Sequence, residues 1–337
     1  MDYFDRQHCL VIAEAGVNHN GDIELAYRLC EAAKEAGADM VKFQTWKTEN
    51  IITHNVMQAG YQIKNTKRVE SQFDMLKRLE LCYGEFEKIK KYCDEIGIQF
   101  ISTADDDESL EFIVSLGVLC LKISSGDMGN IEYLRRVGKT NLPVIMSTGM
   151  STLAEVGEAV DELIKAGSSQ VTLLHCTTNY PCPVEEVNLR AMQTLKEAFK
   201  LPVGYSDHTL GMEVPVAAVA MGARVIEKHF TLDRTMEGPD HKASTEPQEF
   251  QKMIQAIRNI EIAMGNGKKL PTFAEGEISK VVLKRIVAKR EIQKGKMIEE
   301  NDICVKRNDK GLQARYWDLV VGSIARKHYF PDEEIIL

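Results

Sequence analysis

The sequence predicts an α/β chain: a closed (β/α)8 TIM barrel followed by a small, mostly β C-terminal domain. Three observations carry this. Short apolar runs alternate eight times with segments of helical period over residues 1–265, the pattern of parallel strands joined by crossover helices. The ends of those runs are polar in every repeat, and barrels of this kind carry their sites at the C-terminal strand ends. Composition then shifts, because Gly265 to Gly276 is rich in Gly, Lys, Pro and Thr, the mark of a linker.

Taken in order, Cys9 to Glu14 reads as the first strand and Ile23 to Ala36 as its helix. Asp39 to Thr45 is the second strand. A longer polar segment, Trp46 to Glu80, precedes the helix Tyr83 to Ile96. Gln99 to Thr103 and Asp107 to Leu116 form the third unit, and Cys120 to Ser125 with Asn130 to Lys139 the fourth. Pro143 to Thr148 with Leu153 to Ala166, and Val171 to Thr177 with Leu189 to Phe199, follow. The seventh and eighth strands are Val203 to His208 and Val225 to Thr231, with a helix from Gly211 to Ala223 between them and Pro247 to Ala263 last. Gly37, Gly97, Gly117 and Gly167 fall just past helix ends, where a left-handed cap is needed. The domains are therefore expected at 1–265 for the barrel, 266–280 for the linker and 281–337 for the tail, whose β-like runs begin at Val281.

Composition excludes some functions. A formal charge of −8 argues against a nucleic-acid surface, yet a few buried lysines still make a locally positive pocket. Met1 to Asp5 lack a signal-peptide pattern. No stretch is apolar for the roughly 18 residues that a spanning helix needs. A cytoplasmic chain without membrane partners is expected. None of the eight cysteines forms a Cys-x-x-Cys pair, so they read as reduced thiols, Cys176 included, in structural roles.

The polar strand ends sort by chemistry. His208 and His229 close the last two strands at matched height, and two converging imidazoles can hold a divalent metal. Asp207 and Glu227 lie beside them. Alternation puts Lys42 with Gln44, Ser206 with His208, and Glu227 with His229 on shared faces. Lys42 and Lys122 bring cations from the second and fourth strands. Ser125-Gly126 and Ser147-Thr148-Gly149 are turns able to point hydroxyls and backbone N–H groups at a phosphate. Together they suit a compact ligand bearing phosphate and carboxylate.

These strand ends, in order, resemble the sialic acid synthase family, which makes nine-carbon 2-keto sugar acids. The matching residues include Ile12 to Gly21, Val41 to Thr45, Lys122 to Gly126, Ser147 to Met150 and Leu174 to Thr177. Tyr205 to Thr209, Glu227 to Thr231 and Gly238 to Asp240 complete the set. The tail resembles the antifreeze-like (SAF) domain of such synthases.

The resemblance implies condensation of phosphoenolpyruvate with N-acetylmannosamine, giving N-acetylneuraminate and phosphate by C–O cleavage. The alternative acceptor is 2,4-diacetamido-2,4,6-trideoxymannose, which leads to legionaminic acid. By resemblance, Lys42, Thr103, Lys122, Ser125, Ser147 and Tyr180 hold phosphoenolpyruvate, with Thr178 where some relatives have Asn. His208 and His229 hold Mn²⁺ or Mg²⁺. Glu14 transfers a proton or touches the sugar, Gln44 and Asp240 bind its hydroxyls, and Ser206 lies close to His208. Arg307 reaches the sugar's acyl group in the partner subunit, which implies a homodimer with exchanged C-terminal domains.

Two departures stand out. Many relatives have Ser-Thr-Pro-Phe where this chain has Ser102-Thr103-Ala104-Asp105, and the Asp is expected to add negative charge near a lysine. After Arg307 many have Pro-Gly-Asn-Gly, against Asn308-Asp309-Lys310-Gly311 here. Two more remote readings compete with the synthase. One is a pyruvate-type metal aldolase that needs no phosphate, and the other is a non-catalytic glycan-binding or ice-binding protein.

Overall fold

The computed structural model describes residues 8–58, 60–66 and 68–337, apart from the side chains of Tyr61, Gln62 and Lys64. Met1 to Asp5, read above for a leader, lie outside the described residues. Eight strands close a barrel in chain order: β1 (Leu10–Gly16), β2 (Met40–Thr45), β3 (Gln99–Ala104), β4 (Leu121–Ile123), β5 (Val144–Ser147), β6 (Val171–His175), β7 (Val203–Asp207) and β8 (Val225–His229). All eight neighbouring pairs are parallel, and β8 closes on β1 with Glu14 opposite His229. Several of the helices between them start at a side-chain cap. Asp22 accepts from Glu24 N, Asp106 from Ser109 N, and Thr152 forms a capping box with Glu155. The four expected cap glycines all have positive φ.

Strand alternation builds the interior in two layers. At the lower inner positions sit Leu10, Ile12, Met40, Ile101, Cys120, Ile145, Leu174 and Val225, which form one buried apolar cluster. Two residues further along the same strands come Glu14, Lys42, Thr103, Lys122, Ser147, Cys176 and Glu227. The same period-2 rule thus gives a dry floor and a polar rim. On β7 the floor position is Gly204, where a Cβ would lie 2.2 Å from Val225 O and 2.7 Å from Leu174 Cδ2. The opposite strand face, with Val11, Ala13, Val41, Phe43 and Phe100, packs into the helix shell.

Three details differ from the sequence expectation. The polar segment after β2 contains short helices at Thr48–Ile51, Gly60–Thr66 and Gln72–Leu79. Trp46, Met75 and Leu79 bury a small satellite core there with Val17. The fourth strand is only three residues long. The stretch expected as linker and first β run holds a helix, Phe273–Val282, started by a Thr272–Glu275 capping box.

The chain divides into two compact units, ending and beginning at Gly265 and Asn266. The second unit has one antiparallel pair, β9 (Lys284–Ala288) with β10 (Ile303–Arg307), and a short helix at Trp317–Val320. Its own core gathers Ile286, Ile292, Ile298, Ile303, Val320, Tyr329 and Ile335.

Candidate active site

A cavity of about 260 Å³ opens at the rim. Of the residues singled out from sequence, it is lined by Glu14, Lys42, Gln44, Thr103, Lys122 and Ser125, and by Ser147, Thr178, Tyr180, Ser206, His208 and His229. Two are not among its lining residues. Asp240, expected to meet a sugar, stands next to the lining His229, its Oδ2 4.0 Å from His229 Nδ1. Arg307 ends β10 in the second unit, with an exposed side chain. The cavity also includes Asp105, Ser124, Gly126, Met150, Cys176 and Glu227. Cys176, read as structural, faces the site: its Sγ lies 3.3 Å from Ser125 Oγ. Alternation from Lys122 and Ser147 onto β6 was the signal that places it there.

Glu227 is the electrostatic hinge of the rim. Its Oε1 accepts from Ser206 Oγ at 3.0 Å and lies 3.7 Å from Lys122 Nζ. Its Oε2 is 3.8 Å from Lys42 Nζ. Burial alone would raise this carboxyl, but Lys122 and then Lys42 outweigh it and hold Glu227 below the usual range. Lys42 donates to Thr103 Oγ1 at 3.1 Å and pairs with Glu14 Oε2 at 2.9 Å. Glu14 Oε1 accepts from Gln44 Nε2 at 2.9 Å. Burial outweighs Lys42 here and pushes Glu14 up to about 7. The β1–β2 register shifts between Glu14 and Gly16. Gly16 has φ 50°, and a Cβ on it would lie 3.0 Å from Glu14 Oε1.

Across the cavity, Lys122 Nζ donates to Ser147 Oγ at 2.7 Å and to Ile123 O at 3.0 Å. Burial lowers its pKa. Ser125 Oγ accepts from Gly149 N at 3.0 Å, and Thr148 N donates to Leu174 O. Those two N–H groups, expected to face an anion, are therefore already committed. The lysines and the Ser125 and Ser147 hydroxyls remain. Asp105, expected to add charge, is pushed up to about 8 by burial and by Asp127. At neutral pH it therefore adds little negative charge beside Lys42.

The two imidazoles stand together. Register pairs Asp207 with Lys228, so His208 and His229 are the next residues at one height. Their ring centroids are 5.5 Å apart, and Tyr180 covers them at 4.2 and 5.4 Å. His208 Nδ1 lies 2.6 Å from Thr177 O. A carbonyl only accepts, so Nδ1 carries the proton and Nε2 keeps a lone pair. His229 Nδ1 is buried without a hydrogen-bond partner. Burial lowers both pKa values, and His208 lowers that of His229 further. Two neutral imidazoles suit a divalent cation. Among the described residues no group of three or more His, Cys, Asp or Glu gathers for a metal. Oxygen from water or a ligand would complete such a shell. Asp207 faces the helix shell instead, paired with Lys228.

Residues 29–269 match the NeuB family model, and residues 285–335 match the SAF domain. The chain is 48% identical over 328 residues to an N,N'-diacetyllegionaminic acid synthase of Campylobacter jejuni, covering 97% of this chain and 98% of that one. It is 46% identical over 319 residues to the enzyme so named in Legionella pneumophila, covering 94% and 90%. The crystal structure of an N-acetylneuraminic acid (sialic acid) synthetase from Leptospira borgpetersenii matches with a TM-score of 0.72 at 37% identity, covering 80% of this chain and 90% of that one. Among the described residues, no helix is long and apolar enough to cross a membrane.

Proposed function

This chain belongs to the NeuB family, and from that premise we propose that it condenses phosphoenolpyruvate with 2,4-diacetamido-2,4,6-trideoxymannose, yielding N,N'-diacetyllegionaminic acid and phosphate. It is a sialic-type acid synthase. The acceptor follows the relatives at 48% and 46% identity, which are named for legionaminic acid. That favours the alternative sugar over N-acetylmannosamine, the default read from sequence.

One observation carries the chemistry: Lys42 and Lys122 flank Glu227 at 3.8 and 3.7 Å in the cavity that the paired imidazoles line. The two buried cations share one ionised carboxylate, Glu227, while the other partner, Glu14, sits near 7, and a multiply charged anion completes their neutralisation. Phosphoenolpyruvate is such an anion. Lys122, Ser125 and Ser147 hold one end of it, and Lys42 with Thr103 the other. Thr178 and Tyr180 close the wall. Gln44 orients the acceptor, and Ser206 fixes Glu227.

In the reaction, C3 of phosphoenolpyruvate attacks the aldehyde carbon, forming the C–C bond. The aldehyde oxygen takes a proton, which Glu14 is placed to give. Water adds at C2 and loses a proton, and the C–O bond to phosphate breaks. His208 and His229 would hold Mn²⁺ or Mg²⁺, which supplies Lewis-acid polarisation of the aldehyde when bound. The lysines offset the charge of carboxylate and phosphate throughout.

The test is inorganic phosphate release with a panel of sugars, read together with product mass. Release requires both substrates and a divalent cation, and the diacetamido sugar gives the highest kcat/KM. Carbon–carbon bond formation from pyruvate without phosphate release would favour a metal aldolase. Arg307 of a second copy is proposed to complete the acceptor side. Mixed dimers of Arg307→Ala and His229→Ala chains regain activity if tails cross, and remain dead if they do not.

A further inference from the structure

Asp105 follows β3 directly, and its backbone N–H donates to Thr45 O at 3.0 Å. That bond fixes the residue at the end of the β2–β3 pair. Its half-buried side chain lines the cavity. Among the described residues, no hydrogen bond or ion pair engages its carboxyl. The cavity's other carboxyls are engaged: Glu14 by Gln44 and Lys42, and Glu227 by Ser206. Buried polar groups are normally satisfied, and a carboxyl open to a cavity is satisfied by whatever enters it.

Position narrows the occupant. The bond to Thr45 O sets Asp105 at the β2 end, beside Gln44, the residue before Thr45, and both line the cavity. Its protonation agrees with that placement. Burial and Asp127 push it up to about 8, so at neutral pH it does not repel an anion bound nearby. A neutral carboxyl donates one O–H, and amide carbonyls are strong acceptors for it. The family pattern read from sequence often has Phe at this place, and Phe makes no such bond.

We propose that Asp105 selects the acceptor sugar, its carboxyl O–H donating to an acetamido carbonyl that the diacetamido sugar has and N-acetylmannosamine lacks. This deepens the condensation reading and rests on it. The proton stays on Asp105 and no covalent bond changes there. Asp105 is a specificity residue and leaves phosphoenolpyruvate to the lysines.

The experiment is calorimetric titration of each sugar, in buffer containing Mn²⁺, onto full-length wild type, Asp105→Asn and Asp105→Phe. Wild type favours the diacetamido sugar. Asp105→Phe lowers that preference about tenfold, equivalent to about 1.4 kcal/mol, the scale of one hydrogen bond. Asp105→Asn keeps a donor and retains most of the preference. Thermal melts check folding, and Asp105→Ala gives the same deletion with less bulk should Phe fail to fold. An unchanged preference, an equal loss for both sugars, or no binding of either by wild type overturns the assignment. In phosphate-release assays the KM for phosphoenolpyruvate stays within about twofold of wild type; a larger rise shows that Asp105 serves that substrate and also overturns it. No phosphate release by wild type with either sugar defeats the condensation reading, while the binding ratio still decides Asp105.

Discussion

Strands β7 and β8 carry buried charge on both faces, and the two faces are built differently. Outward, Lys228 pairs with Asp207 and donates to Thr209 O at 2.6 Å, while Asp207 Oδ1 accepts from Thr209 N and Oγ1. Asp207, Lys228 and Thr209 satisfy one another across the two strands. Inward, Glu227 sits between two lysines at distances too long for hydrogen bonds, and its Oε2, like His229 Nδ1, has no hydrogen-bond partner. Burial is nearly equal on the two faces. The difference is completeness. A finished ion pair holds the wall, whereas an unfinished one awaits a ligand.

That contrast is open to attack. The largest effect is expected on the inner face. His208→Ala or His229→Ala lowers kcat/KM at least about 10³-fold with the fold retained, and near wild-type turnover in the metal-stripped double variant would remove the metal role. Next comes Glu14→Gln. With a carboxyl near 7 acting as proton donor, wild-type kcat/KM falls as pH rises through about 7. The variant loses that limb along with about 10²-fold of rate; a limb that persists assigns the proton to another group.

The outer face gives the opposite signature. Lys228→Ala leaves Asp207 buried and unpaired, costing about 3–5 kcal/mol, a melting drop on the order of 10 °C. Specific activity of the folded fraction at 25 °C changes little. A melt like wild type, or a selective loss of activity, would erase the distinction between the faces. The smallest effect is expected from Lys122→Ala, which raises the KM for phosphoenolpyruvate roughly 10–100-fold, the scale of charged hydrogen bonds. An unchanged KM would move the anion elsewhere.

How legible was this arrangement beforehand? Period-2 alternation placed Lys42 with Gln44 and Glu227 with His229 because sheet geometry is local. The eight strands were legible for the same reason. The helices in 46–80 were not, since that segment is polar and its small core around Trp46 and Met75 draws on residues far apart in sequence. The helix Phe273–Val282 was masked by neighbouring Gly, Pro and Lys, although its Thr272–Glu275 capping box was readable. Burial shifts protonation, and so Asp105 looked like an added charge, whereas burial and Asp127 push its carboxyl up to about 8. The committed N–H groups of Thr148 and Gly149 depend on the neighbours Leu174 and Ser125, which no spacing along the chain reveals.

Gly204 has a consequence well beyond its size. It lies on the barrel floor, and His208 sits four residues above it, about 13 Å along the strand. With Val225 O only 2.2 Å from where a Cβ would stand, any side chain here has to push β7 away from β8, and the strand so displaced leads to an imidazole. Gly204→Ala is expected to register first in the spacing of the two rings and in chelator sensitivity, and a variant titrating like wild type would show that the strand bends locally instead.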